Sequence, residues 1–245
     1  MDGGHRNSRI NLQKEWFTAE NIADLFRKYN VTREFDHLTI DIDMNTWYVL
    51  QAVLQAGFRP RHITFEFNRN LPPYDPIMSM YLPNTHWGKG REVSCYFGGS
   101  PWAFQMLLDQ YGYTIYAQDT VMINMYAVRL NELGGVRPLS YEQVLHNFKG
   151  EGHQCWALHR PCSNRTWVRL PEDIDLTKPK SAWADALIAT EMEEIVDPKD
   201  PSMRIFKEFK LTASGKRKTG DHGKTLDQGC DISAKNSPLP IPPDW

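Results

Sequence analysis

Cysteine is scarce in this 245-residue chain, and the four present (Cys95, Cys155, Cys162 and Cys230) form no C-x-x-C pair. Their spacing argues against a structural zinc framework, and reduced thiols are a plainer expectation than a Cys155–Cys162 disulfide. An excess of either charge is also absent. A formal net charge of −2 gives no electrostatic case for nucleic acid or an anionic membrane as partner. No apolar run approaches the length of a bilayer span, and the first ten residues lack the apolar centre of a secretory signal. A cytoplasmic setting is the expectation for the chain as given. The N-x-T tripeptides at Asn30 and Asn164 would matter only in the secretory route. A glycine-rich phosphate loop is missing too: Gly3-Gly4 follows no strand and opens no helix pattern.

What is present centres on residues 36–68. Leu38, Ile40 and Ile42 alternate with polar residues, as do Ile63, Phe65 and Phe67. This period of two predicts two strands. Residues 46–56 between them are long enough for a crossover helix, with Asn45 placed to cap it and Gly57 to end it. The unit is therefore β-α-β, and its two strands are expected to be parallel neighbours. Both end in carboxylates or amides: Asp41, Asp43 and Asn45 on the first, Glu66 and Asn68 on the second. Ligands of open α/β sheets bind beyond the carboxyl ends of the strands.

Before this unit, residues 1–16 read as a disordered leader. Thr18 then caps a helix with Ile22, Leu25, Phe26 and Tyr29 at helical spacing. After it, prolines at 72, 73 and 76 exclude regular structure and open a long loop running to Gly90. Ser100-Pro101 signals a helix start and Gly112 its end. Strands over 113–118 and 121–129 follow, joined so tightly that they must form an antiparallel hairpin. Ser140 begins a short capped helix, residues 154–160 and 165–170 suggest a small hairpin, and residues 181–195 alternate helically. The expected organisation is an α/β half-domain over 17–133, a small mixed extension over 134–196, and a mostly disordered tail over 197–245.

Asp41 and Asp43, two apart, would share a strand face and repel unless protonated, hydrogen-bonded or bridged by a cation. With Glu66 and Asn68 they form an all-oxygen set suited to a hard divalent ion. The competing expectation is structural: Asp43 and Asn45 cap the helix while Asp41 bonds backbone amides. Glu66 is a candidate general base, or else the partner of Arg61, Arg69 or Arg91 in an ion pair. Tyr74, Tyr81, His86 and Trp87 either line an acceptor pocket or pack the long loop down. His37 and His62 lie early in their strands, away from the proposed cleft.

The run 36–45 with Glu66-Phe67-Asn68, the Tyr96-Phe97-Gly98-Gly99-Ser100 loop, and the hairpin ending Ile123-Asn124-Met125-Tyr126-Ala127-Val128-Arg129 resemble the C-terminal half of an FkbM-like methyltransferase. That family belongs to the class I S-adenosylmethionine-dependent enzymes. The resemblance implies a partial Rossmann-like sheet of parallel strands plus a closing antiparallel hairpin. It also implies S-adenosylmethionine as cofactor, with a divalent cation at the strand ends as precedent in some O-methyltransferases. It places Asp41 and Glu66 at the reaction centre and Asp43, Asn45 and Asn68 on the cofactor side. The acceptor would be a small molecule or a glycan-like group, methylated on oxygen or nitrogen. Two departures stand out: Met44 occupies the place of the family's glycine, and the cofactor-holding half has no counterpart here. The alternative is a non-catalytic, truncated interaction module, whose incomplete sheet calls for a protein partner or self-association.

Overall fold

The structure, a computed structural model, describes residues 10, 12–69, 71, 73–83, 96–120, 122–147, 166–196, 204–211 and 217–219. It is mixed α/β, with one sheet of parallel and antiparallel strands and a second that is wholly antiparallel. The first sheet contains β1 (His37–Ile40), β2 (His62–Glu66), β4 (Tyr113–Gln118) and β5 (Asn124–Arg129), in the spatial order β1-β2-β5-β4. As the β-α-β pattern requires, β1 and β2 are parallel, with His37 opposite His62 and Ile40 opposite Phe65. β5 runs antiparallel to both β2 and β4, so the hairpin closes the sheet with its second strand inward.

Alternation sets the core. Leu38, Ile40, Ile63, Phe65, Met125 and Ala127 are buried, whereas His37, Thr39 and His62 are exposed. Helix α2 (Thr46–Gln55) and helix α3 (Pro101–Gln110) supply the opposing apolar surface. Phe65 stacks on Phe104 with centroids 4.3 Å apart, and the Trp47 indole N–H donates to the Ala103 carbonyl at 2.8 Å. Helix α1 (Ile22–Lys28) packs on α2, and its Phe26 ring meets Phe58, just beyond the end of α2, edge-on. The polar face of β1 and β2 is laced by the His37 imidazole, whose Nε2 lies 3.1 Å from both Thr39 Oγ1 and Thr64 Oγ1.

Two helix starts follow their sequence signals. Ser100 Oγ accepts from the Ala103 amide at 3.1 Å, with Pro101 in the first turn. Ser140 and Gln143 form a reciprocal capping box, Ser140 Oγ accepting from the Gln143 amide and Gln143 Oε1 from the Ser140 amide. This opens α4 (Tyr141–Asn147), which packs on β4.

Other expectations are corrected. Helix α1 spans Ile22–Lys28, shorter than expected, but the turn leading into it starts at Thr18, whose carbonyl accepts the Ile22 amide at 3.1 Å and whose amide donates to Asn21 Oδ1 at 2.7 Å. β5 begins three residues later than expected, because the Asp119 carboxylate captures the amides of Ile123 and Asn124 and prolongs the turn. Within the proline-rich loop lies a strand, β3 (Ile77–Ser79), paired antiparallel with β6 (Thr166–Arg169). The helix expected over 181–195 is only α5 (Lys180–Trp183) and a 3₁₀ turn, followed by strand β7 (Ile188–Val196). Ile188, Thr190, Ile195 and Val196 are β-branched, and pairing with β6 and with β8 (Arg204–Leu211) overrides the helical spacing. The tail is likewise not devoid of regular structure, since β8 and β9 (Arg217–Thr219) lie within it. The strand expected over 154–160 and the four cysteines fall outside the described residues. No described helix is long and apolar enough to cross a membrane.

The second sheet and its connections are tied into the first core. Gln51 donates to the Leu176 carbonyl, Gln110 bonds Ile174 and Leu176, and Trp183 meets Trp47 edge-on at 5.9 Å. Trp47 is fully buried where these parts meet. Trp47→Ala should cost about 3–5 kcal/mol of stability by the usual range for a large core truncation. Urea unfolding monitored by circular dichroism checks this; a change under about 1 kcal/mol would mean that the site collapses without loss.

Candidate functional site

The carboxyl ends of β1 and β2 lie side by side because the strands are parallel and in register. Beyond β1 the chain turns through Asp41 and Ile42 into a 3₁₀ turn, Asp43–Asn45, that runs directly into α2. Asp43 has φ +59°, a left-handed conformation that aspartate tolerates better than most residues. The strained position is thus one residue before Met44, which is buried and has no positive φ. The departure from the resembled family's glycine therefore introduces no left-handed strain at Met44.

Glu66 stands at the end of β2, half-buried. Its Oε2 accepts the Asp43 backbone amide at 3.1 Å, so one strand end pins the turn leaving the other. Burial pushes the Glu66 carboxyl up from 4.5 to about 8, helped by the negative charges of Asp41 and Asp43 and by a hydrogen bond with the Asp41 side chain. The amide of Asp43 opposes the shift without cancelling it. Among the described residues Glu66 makes no salt bridge: Arg61, one of its expected partners, pairs with Asp36 and Glu132. Arg91 lies outside the described residues. Asp41 itself is exposed.

The asparagines play a different part from the one expected. Asn45 occupies the N-cap position of α2 but makes no side-chain cap bond. It clasps the loop, its Nδ2 donating to the Leu82 carbonyl at 2.8 Å and its Oδ1 accepting the Leu82 amide at 3.1 Å. Thr46 serves the turn instead, its hydroxyl accepting the Ile42 amide and donating to the Asp43 carbonyl. Asn68 is fully buried, and its Nδ2 donates to the Phe97 carbonyl at 2.7 Å while its amide donates to Gly99. Ser79 Oγ donates to the Met44 carbonyl, and Gly98, at φ +52°, passes close to the Asp43 carbonyl. Sequence reasoning missed Ser79 and Leu82 as partners because they contribute from a loop far along the chain. It did find Gly98, as a turn.

Of the expected site residues, Asp41, Asp43 and Glu66 come together, while Asn45 and Asn68 face the loop backbone. Tyr81 ties the loop to the first helix, donating to Glu20 and accepting the Ala19 amide; His86 and Trp87 are outside the described residues. Among the described residues no three His, Cys, Asp or Glu side chains stand together as a ligand group for a metal ion. The arrangement is suited to proton transfer, with one carboxyl held protonated near neutrality beside an exposed carboxylate. Comparisons with protein-family models, with curated proteins and with solved structures find no match to this chain.

A raised carboxyl has a definite effect on stability. Between about 4.5 and 8 the folded protein keeps a proton on Glu66 that the unfolded chain has released. Its stabilising contribution is complete below the lower value and is lost as pH rises through the upper one. Glu66→Gln abolishes this titration. Relative to wild type, the variant should therefore become progressively more stable from about pH 5 to about pH 9. Urea midpoints across that range test it, and a constant difference between the two proteins would refute the raised carboxyl.

Proposed function

We propose that this chain is the acceptor-side part of a methyltransferase-like enzyme, with Glu66 as general base and Asp41 as its proton-sharing neighbour. The observation that carries the reading is the pair of acidic strand ends, with Glu66 raised to about 8 and without a salt bridge among the described residues. Two parallel strands followed by an inward-folded antiparallel hairpin support it, since the resemblance to FkbM-like proteins implies that arrangement. In its ionised form, which gains population as pH rises toward 8, Glu66 would take the proton from an acceptor hydroxyl or amine as its nucleophilic atom attacks. The sheet and the clasped loop would hold that acceptor in line, and positioning would supply most of the rate.

S-adenosylmethionine would supply the methyl group from its sulfonium. The side chains expected on the cofactor side fit that role poorly, because Asn45 and Asn68 are buried and bonded to loop carbonyls. The reading therefore needs the cofactor-holding elements to come from outside the described residues or from another chain. Calorimetric titration of this chain with millimolar S-adenosylmethionine is the direct test. A saturable heat that Asp41→Asn or Glu66→Gln weakens would support catalysis by this chain. No heat and no thermal shift would eliminate catalysis by the chain alone.

A second reading, an interaction module, is favoured by the sheet's other face. His37, Thr39, His62 and Tyr116 are exposed on it, and β1 is an edge strand. Sedimentation should then show association that grows with concentration. A monomer at all concentrations with one cooperative melt would count against an interface of this kind.

A further inference from the structure

A second cluster lies away from the strand ends, where the start of α3, the start of α4 and the loop before β3 meet. Tyr141, nearly buried, is its floor. Trp102 packs against it with centroids 4.9 Å apart and planes at 60°, and Tyr74 meets it edge-on at 5.9 Å and 82°. Tyr74 is 54% exposed, which is unusual for an aromatic ring on so constrained a backbone. The carbonyl before it, of Pro73, accepts the Tyr141 hydroxyl, and the carbonyl after it, of Asp75, accepts the Ser100 hydroxyl. The Asp75 carboxylate is bound to Arg169 at 3.1 Å. Tyr74 is thus held from both sides while its ring remains in solvent.

Glu142, exposed beside Tyr141 in the first turn of α4, has no salt bridge among the described residues. Its charge reaches both phenols: after burial, the dominant cause, Glu142 contributes to the upward shifts of Tyr74 and Tyr141. Tyr74 and Trp102, each at a steep angle to Tyr141, with the Glu142 carboxylate alongside, form an environment complementary to a diffuse cation, which ring faces attract within about 6 Å. A primary ammonium is strongly hydrated and resists entry; methylation spreads the charge and removes the N–H groups that need partners.

We propose that Tyr74, Trp102, Tyr141 and Glu142 form a binding site for a methylated ammonium group. This site is independent of the methyltransferase reading, sharing no residue with it. Tyr74 is the exposed wall, Tyr141 and Trp102 are packed on the core, and Glu142 supplies the counter-charge.

The test is a titration of the full chain with tetramethylammonium and with choline, followed by chemical shifts of the tryptophan and tyrosine ring protons. The neutral isostere 3,3-dimethylbutanol serves as control. The expected result is saturable binding of both cations, with the isostere weaker by roughly three- to thirtyfold, the range that ring–cation attraction provides. Tyr74→Ala should abolish binding, Tyr74→Phe should retain it, and Glu142→Gln should weaken the cations without affecting the isostere. Equal binding of cation and isostere, or cation binding unchanged in Tyr74→Ala, would overturn the proposal, as would no saturation by tens of millimolar. If the cations bind, a trimethyllysine peptide compared with choline shows whether the group comes from a side chain or a free small molecule. Tyr74 and Glu142 are both exposed, so a cooperative melt of each variant confirms that loss of binding is not loss of the fold.

Discussion

Two buried amides hold this structure together. Asn45 and Asn68 lie where the first sheet ends, and a buried amide without partners costs several times what a hydrogen bond returns. Each finds its partners in the backbone of the segment between β2 and α3, Asn45 at Leu82 and Asn68 at Phe97. That segment contains β3, the edge strand of the second sheet. The clasps therefore fix the loop over the strand ends and dock the second sheet against the first. Ser79 and Tyr48 reinforce the same seam, with the Ser79 hydroxyl on Met44 and the Tyr48 hydroxyl on Ser79.

The same geometry explains the electrostatics of the strand ends. Parallel pairing sets Asp41 and Glu66 next to each other, and the tight turn at Asp43 adds a third carboxylate. Burial removes water from Glu66, and its neighbours' charges oppose its ionisation. The fold tolerates this because Glu66 can keep its proton and still accept the Asp43 amide. A site that stabilises its own protonated carboxyl near neutrality is matched to moving a proton rather than to anchoring a cationic side chain.

How much of this could be read from the chain depended on the range of the interaction. The parallel pair, the hairpin and the Ser100 and Ser140 helix starts follow from alternation, turn length and capping chemistry, all local. The acidic corner was legible for the same reason, since Asp41, Asp43 and Glu66 end adjacent strands. Residues 181–195 were misread because helical spacing of apolar residues is a weak signal, and strand pairing with β6 and β8 decided otherwise. β3 was hidden among prolines that leave Ile77, Met78 and Ser79 just long enough to pair.

The sequence by itself determined the β-α-β unit, its buried faces and the acidic residues at its ends, because those depend on periods of two and 3.6 within short windows. Only the tertiary structure decided what Asn45 and Asn68 bond, how far Glu66 is desolvated, and which rings surround Tyr141. Those outcomes depend on contacts between residues tens of positions apart, and a local pattern has no means of specifying which distant carbonyl, charge or ring will arrive.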